Sequence, residues 1–143
     1  MAYQSDGGCA CLYDPGLAGS ETLEEAQRAA ISNASHLCIS VGPAHLTEEI
    51  LSLRNPNALL YWAVKDDPAC FTHDVRAQLS VEADVSFCSA SERALIKRTS
   101  AVIVQTRGGQ GVTIMANGQS KDLPATEVQA TDTTGAGDTF AGG

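Results

Sequence analysis

The sequence predicts an α/β domain built on a largely parallel sheet with helices on both faces. Helical segments and short apolar segments alternate four times between Glu21 and Thr106. The apolar runs are continuous rather than alternating, as in strands buried on both faces, and the connections between segments are short.

The first helix is expected in "ETLEEAQRAAISNA". Leu23, Ala26, Ala30 and Ile31 fall near one face there, acids crowd the first turn, and Ser20 stands before it as an N-cap. "HLCISVG" then reads as a buried strand, closed by Gly42-Pro43. "LTEEILSLR" is helical and "NALLYWAV" is a second buried strand, with Trp62 in the core. "THDVRAQLSVEA" is a helix, "DVSFC" a third strand, "SERALIKRT" a helix and "SAVIVQT" a fourth strand. "GVTIMANGQSKDL" breaks the rhythm, because two short runs flank Asn117-Gly118, a strong signal for a two-residue hairpin turn. Residues 1–19 alternate weakly and read as strand and loop.

Bulk composition excludes several classes of function. A net charge of −8 opposes a nucleic-acid partner, which needs clustered Lys and Arg to neutralise phosphates. No apolar run approaches the length of a membrane span, and "MAYQSDGG" lacks the basic flank and apolar core of a secretory signal. The five cysteines contain no C-x-x-C pair and the three histidines show no ligand spacing, so neither a zinc site nor a disulfide framework is indicated. Cys38 and Cys88 sit in apolar runs and read as small buried hydrophobes. Reduced thiols make a cytoplasmic setting the expectation.

The chemistry of such a sheet gathers beyond the carboxyl ends of its strands. The most informative stretch is "TDTTGAGDTF". Glycines ahead of an apolar helix let backbone N–H groups converge without Cβ interference, and the helix dipole adds positive potential. Asp138 follows at once. A carboxylate beside an anion hole is repelled by bound phosphate, so binding alone does not explain it. It makes sense as a base that accepts a hydroxyl proton while the hole takes phosphoryl charge. The plain alternative is a carboxylate that only serves helix electrostatics, and "GAGD" alone does not decide between them.

"DTTGAGDTFAGG", residues 132–143, resembles the carboxyl-terminal signature of the PfkB (ribokinase-like) carbohydrate kinase family. The resemblance implies a ribokinase-like three-layer αβα fold. It makes Asp138 the catalytic base and the N–H groups of Gly135, Ala136 and Gly137 the anion hole. Asp132 and Thr134 match a loop that in many members binds a monovalent cation such as K+. "VIVQTRGGQGVTI" matches the family's T-x-G-x-x-G element through Thr106, Gly108 and Gly111, which would lie against the phosphates of ATP, with Arg107 as a nearby positive charge. "SASE" stands where members have N-x-x-E. Glu92 would then help order Mg2+ and the phosphates through water. Ser89 replaces the asparagine, a departure that weakens its own role. The same four residues also read as a helix capping box, Ser89 to Glu92. Lys65, Asp66 and Asp67 end a strand at the functional edge, but before Pro68 they read as a solvated turn.

Only the second half of a family member is matched. Residues 1–19 would be the end of a lid region, the whole of 1–143 a single incomplete domain, and the isolated chain inactive. The resemblance therefore implies ATP-dependent phosphorylation of a sugar or nucleoside hydroxyl, with ATP and Mg2+ as cofactors and a possible homodimer in the complete protein. Two other readings stay open. One is a non-catalytic kinase-like segment that binds a nucleotide or a protein partner. The other is a dinucleotide-binding domain, disfavoured because no G-x-G-x-x-G follows the first strand with an acid about 20 residues on.

Overall fold

The computed structural model describes residues 2–3, 9–10, 19–97, 102–129 and 131–143. Strands β1 (Ala2–Tyr3) and β2 (Cys9–Ala10) pair antiparallel as a small sheet of their own. The main sheet has six strands in the order β3-β4-β5-β6-β7-β8. Its first four, β3 (His36–Ile39), β4 (Leu59–Ala63), β5 (Val85–Ser89) and β6 (Val102–Thr106), pair in parallel. β7 (Val112–Ala116) and β8 (Gln119–Leu123) complete it antiparallel. They are joined at Asn117 (φ 52°) and Gly118 (φ 74°), the two left-handed positions that a type I′ turn requires.

Register in the parallel half is held at the amino ends of the strands by Asp84. Its carboxylate accepts the Leu60 N–H at 2.9 Å, its own N–H donates to the Leu60 carbonyl at 2.8 Å, and its carbonyl accepts the Val102 N–H at 2.9 Å. One residue thereby ties β4, β5 and β6 at a common level.

Because each parallel strand lies beside its predecessor in one direction, right-handed crossovers carry the connecting helices to the same face. Helices α1 (Glu25–Asn33), α2 (Ala44–Leu53) and α3 (His73–Glu82) follow one another there. Leu51 of α2 and Val75 and Leu79 of α3 close over Leu60, Trp62, Cys88 and Ile103 of the sheet. The opposite face carries α4 (Ala136–Gly142), whose Phe140 meets Phe87 edge-on with ring centroids 6.4 Å apart. The helices are thus shared unequally between the two faces. Among the described residues no helix is long and apolar enough to cross a membrane.

Four expectations are corrected. α1 starts at Glu25, where the Gln27 side chain accepts the Glu24 N–H at 2.8 Å, so Ser20 is not its cap. The segment after β5 forms a single 3₁₀ turn, Arg93–Leu95, instead of a helix, and residues 98–101 lie outside the described ones. One face of β3 is left uncovered among the described residues, so a run that reads as doubly buried is buried on one side, and Cys38 on the other is exposed. Cys88, by contrast, is buried as expected.

The core makes a direct test possible. Leu79 is fully buried between α3 and the sheet, and Leu79→Ala should cost about 2–5 kcal/mol through lost transfer energy and a residual cavity. Val128→Ala, at an exposed site, should stay within about 0.5 kcal/mol. Urea unfolding of both variants measures the difference.

Candidate active site

The carboxyl ends of β4, β5 and β6 emerge at one edge and form, with α4, a cleft of about 220 Å³. Parallel register decides what meets there. Ala63 pairs with Phe87, and Ser89 pairs with Thr106, so Ser89 and Thr106 stand side by side at the cleft floor. The Thr106 hydroxyl donates to the Cys88 carbonyl at 3.3 Å and links the two strand ends.

Glu92 lines the same cleft, and its carboxylate is tied back to Ser89. It accepts the Ser89 N–H at 2.8 Å and the Ser89 hydroxyl at 2.7 Å. Half of the anticipated capping box is therefore present, the half in which Glu92 reaches back. The Ser89 hydroxyl donates to the carboxylate instead of capping a helix, and the described residues up to Lys97 form no α-helix. The tie fixes Glu92 at the cleft wall, so the capping and site readings describe one arrangement.

α4 delivers the remaining wall. Gly135 adopts φ 72° ahead of it, a left-handed conformation suited to glycine, and Thr139 N–H donates to the Gly135 carbonyl at 2.8 Å to begin the helix. Gly137, Asp138 and Ala141 then face the cleft. Gly135 and Ala136 stand behind them, outside the lining, and the Ala136 N–H donates to the Thr133 carbonyl at 3.2 Å. Asp132 and Thr134 are exposed and also outside the cleft; the Asp132 carboxylate accepts the Thr134 N–H at 2.8 Å and shapes the loop before the helix.

In the glycine loop after β6 the protein's own backbone requires one of the glycines. Gly108–Gln110 is a 3₁₀ turn, closed by the Gln110 N–H donating to the Arg107 carbonyl at 3.1 Å, and the Arg107 N–H donates across the loop to the Gly111 carbonyl at 2.8 Å. Gly111 has φ 95°, and a Cβ there would sit 2.0 Å from the Leu123 carbonyl oxygen and 2.7 Å from the Ala125 nitrogen. Its need for glycine comes from the chain leaving β8. Gly108 (φ 55°) has open space around it. Neither borders the cleft, and Arg107 turns away to pair with Asp122 at 3.2 Å.

Lys65 is the residue that sequence reasoning missed. Asp66 and Asp67 do serve the turn: Asp66 pairs with Arg76 at 2.8 Å, and the Asp67 carboxylate accepts the Ala69 N–H at 2.8 Å. Lys65 instead lines the cleft, with Nζ 3.7 Å from Oδ1 of Asp138. Its position two residues past Ala63, at the carboxyl end of β4, was the available signal. Burial pushes the pKa of the neighbouring Cys88 thiol up to about 11, which favours its protonated form near neutral pH. Among the described residues no three His, Cys, Asp or Glu side chains cluster to cage a metal.

A family model described as pfkB family carbohydrate kinase matches residues 67–143, more than half of the chain. The chain belongs to that family. The structures it resembles agree in fold. A putative Ribokinase II from E. coli superimposes with a TM-score of 0.64 at 18% identity, over 80% of this chain and 46% of that one. An uncharacterized sugar kinase from Pyrococcus horikoshii gives 0.60 at 18%, over 78% and 43%. A Burkholderia thailandensis nucleoside kinase, solved with inosine, gives 0.60 at 18%, over 82% and 45%. The chain spans less than half the length of each of these three. No curated protein matches it.

The two loop glycines should separate in stability. Gly111→Ala forces a methyl group onto backbone at a strained φ and should destabilise the family fold by about 2–5 kcal/mol. Gly108→Asn, in open space at a left-handed position that asparagine tolerates, should cost under about 1 kcal/mol. Chemical denaturation of the two variants checks both values.

Proposed function

We propose that this chain carries the nucleotide-binding and proton-accepting part of an ATP-dependent kinase that phosphorylates a hydroxyl group of a sugar or nucleoside. The observation that carries the reading is Asp138, brought by a glycine turn and a short helix to the rim of a cleft whose other walls are Ser89, Glu92 and Thr106. Family membership supplies the reaction class.

Asp138 is more than half exposed, so an incoming hydroxyl can reach its carboxylate. As base it takes the hydroxyl proton while that oxygen bonds to the γ-phosphorus and ADP leaves with the electrons of the broken bond. Gly137 is the member of the expected anion hole that borders the cleft; Gly135 and Ala136 shape the turn behind it. Thr106, with the Gly108–Gly111 loop beyond it, flanks the side assigned to the ATP phosphates.

Glu92 suits Mg2+, which is commonly held by one or two carboxylates together with water and substrate phosphates, so a full protein cage is not required. Held by Glu92 through water, the ion would neutralise phosphate charge. The E. coli neighbour has been crystallised with ATP and Mg2+, and the P. horikoshii one with ATP. The resemblance also assigns a monovalent cation to the Asp132–Thr134 loop.

Asp138→Asn keeps the size of the side chain and a hydrogen bond to the acceptor, but cannot take the proton. In the complete protein it should leave ATP affinity within about threefold and lower kcat by about 10² to 10⁴. Calorimetric ATP titration and phosphoryl transfer over a panel of sugars and nucleosides measure both. Turnover within threefold of the parent protein would remove Asp138 as base. ATP binding without transfer to any acceptor would favour the non-catalytic reading.

A further inference from the structure

We propose that Lys65 contacts the transferred phosphoryl group, exchanging its ion pair with Asp138 for that group as the reaction proceeds. The inference rests on the kinase reading above. Three observations lead to it. Lys65 Nζ lies 3.7 Å from Asp138 Oδ1, and both side chains border the one cleft. Among the described residues, Lys65 is the only cationic side chain lining that cleft, while Glu92 and Asp138 contribute two carboxylates. Arg107, the cation expected beside the phosphates, is held by Asp122 instead. A polyphosphate entering an acidic cleft needs positive charge from the protein as well as from its own metal ion, and Lys65 is where that charge stands.

Charge conservation during transfer gives the exchange its direction. Before reaction the ammonium faces an ionised carboxylate. The acceptor O–H bond breaks and its proton goes to Asp138, the acceptor oxygen bonds to phosphorus, and the bond between phosphorus and the ADP oxygen breaks with its electron pair leaving on ADP. Asp138 is then neutral. The nearest strong anion for Lys65 is then the phosphoryl group itself, whose charge is spread over its three equatorial oxygens during the step. With Lys65 about two-fifths exposed, its long side chain has room to make this small move.

The competing account is a partly exposed ion pair that touches no ligand, and nucleotide binding distinguishes the two. The chain and its Lys65→Met and Lys65→Arg variants are titrated calorimetrically with ATP and with ADP, each in the presence of Mg2+. Circular dichroism and thermal melting verify that the variants retain the parent fold. Contact with the terminal phosphoryl predicts that Lys65→Met loses about tenfold or more in ATP affinity, as expected for a charge-assisted hydrogen bond, and less than threefold in ADP affinity. Lys65→Arg should keep ATP binding within threefold. Equal losses for the two nucleotides, or no loss for either, would overturn the inference and leave the kinase reading standing. Failure of the unsubstituted chain to bind either nucleotide would overturn both.

Discussion

The site depends on the level at which three parallel strands are pinned. Asp84 bonds to Leu60 through both its carboxylate and its backbone N–H, and to Val102 through its carbonyl. A slip of one residue in any of these strands would turn every side chain to the opposite face. Trp62 and Cys88 would leave the core, and Ser89 and Thr106 would no longer stand side by side. The pin at the amino ends therefore sets the chemistry at the carboxyl ends, about five residues away along each strand.

The cleft is assembled from residues that are each secured in a different way. Glu92 is held by two hydrogen bonds from Ser89, one of them from backbone, which leaves it little freedom. Thr106 is fixed by strand pairing and by its bond to the Cys88 carbonyl. Asp138 is secured through its helix. It rides on a seven-residue helix with no buried residue, docked on the sheet by Phe140 against Phe87. The Glu92 wall is thus held by bonds within its own loop, and Asp138 by the docking of α4 on the sheet.

Electrostatics explain why one lysine carries weight. The chain is acidic overall, and both carboxylates of the cleft face the place where phosphate is expected. Across a partly exposed gap of 3.7 Å the Lys65–Asp138 pair is screened by water and contributes little to stability. Exclusion of water by a bound nucleotide lowers the local dielectric and strengthens each charge interaction in the cleft. A pair of small structural value can in this way matter for function.

Much of this was legible in the amino-acid sequence. The alternation of buried strands and helices, the Asn117-Gly118 hairpin and the glycine turn ahead of Asp138 all follow from local rules, since apolar periodicity and left-handed backbone positions are properties of a few adjacent residues. The family signature is equally local. What the sequence could not decide was anything resting on neighbours distant along the chain. It read β3 as doubly buried, because an apolar run does not reveal which elements distant along the chain cover each face of a strand. Similarly, it did not reveal that a side chain at Gly111 would meet the backbone of Leu123 to Ala125. Lys65 and its two aspartates formed a single charged turn in sequence, and only parallel register, which lifts the end of β4 toward α4, parted the lysine from them. Sequence by itself determined which residues could do chemistry; tertiary structure decided which of them meet, because an ion pair across 73 residues of chain exists only once the sheet has aligned its ends.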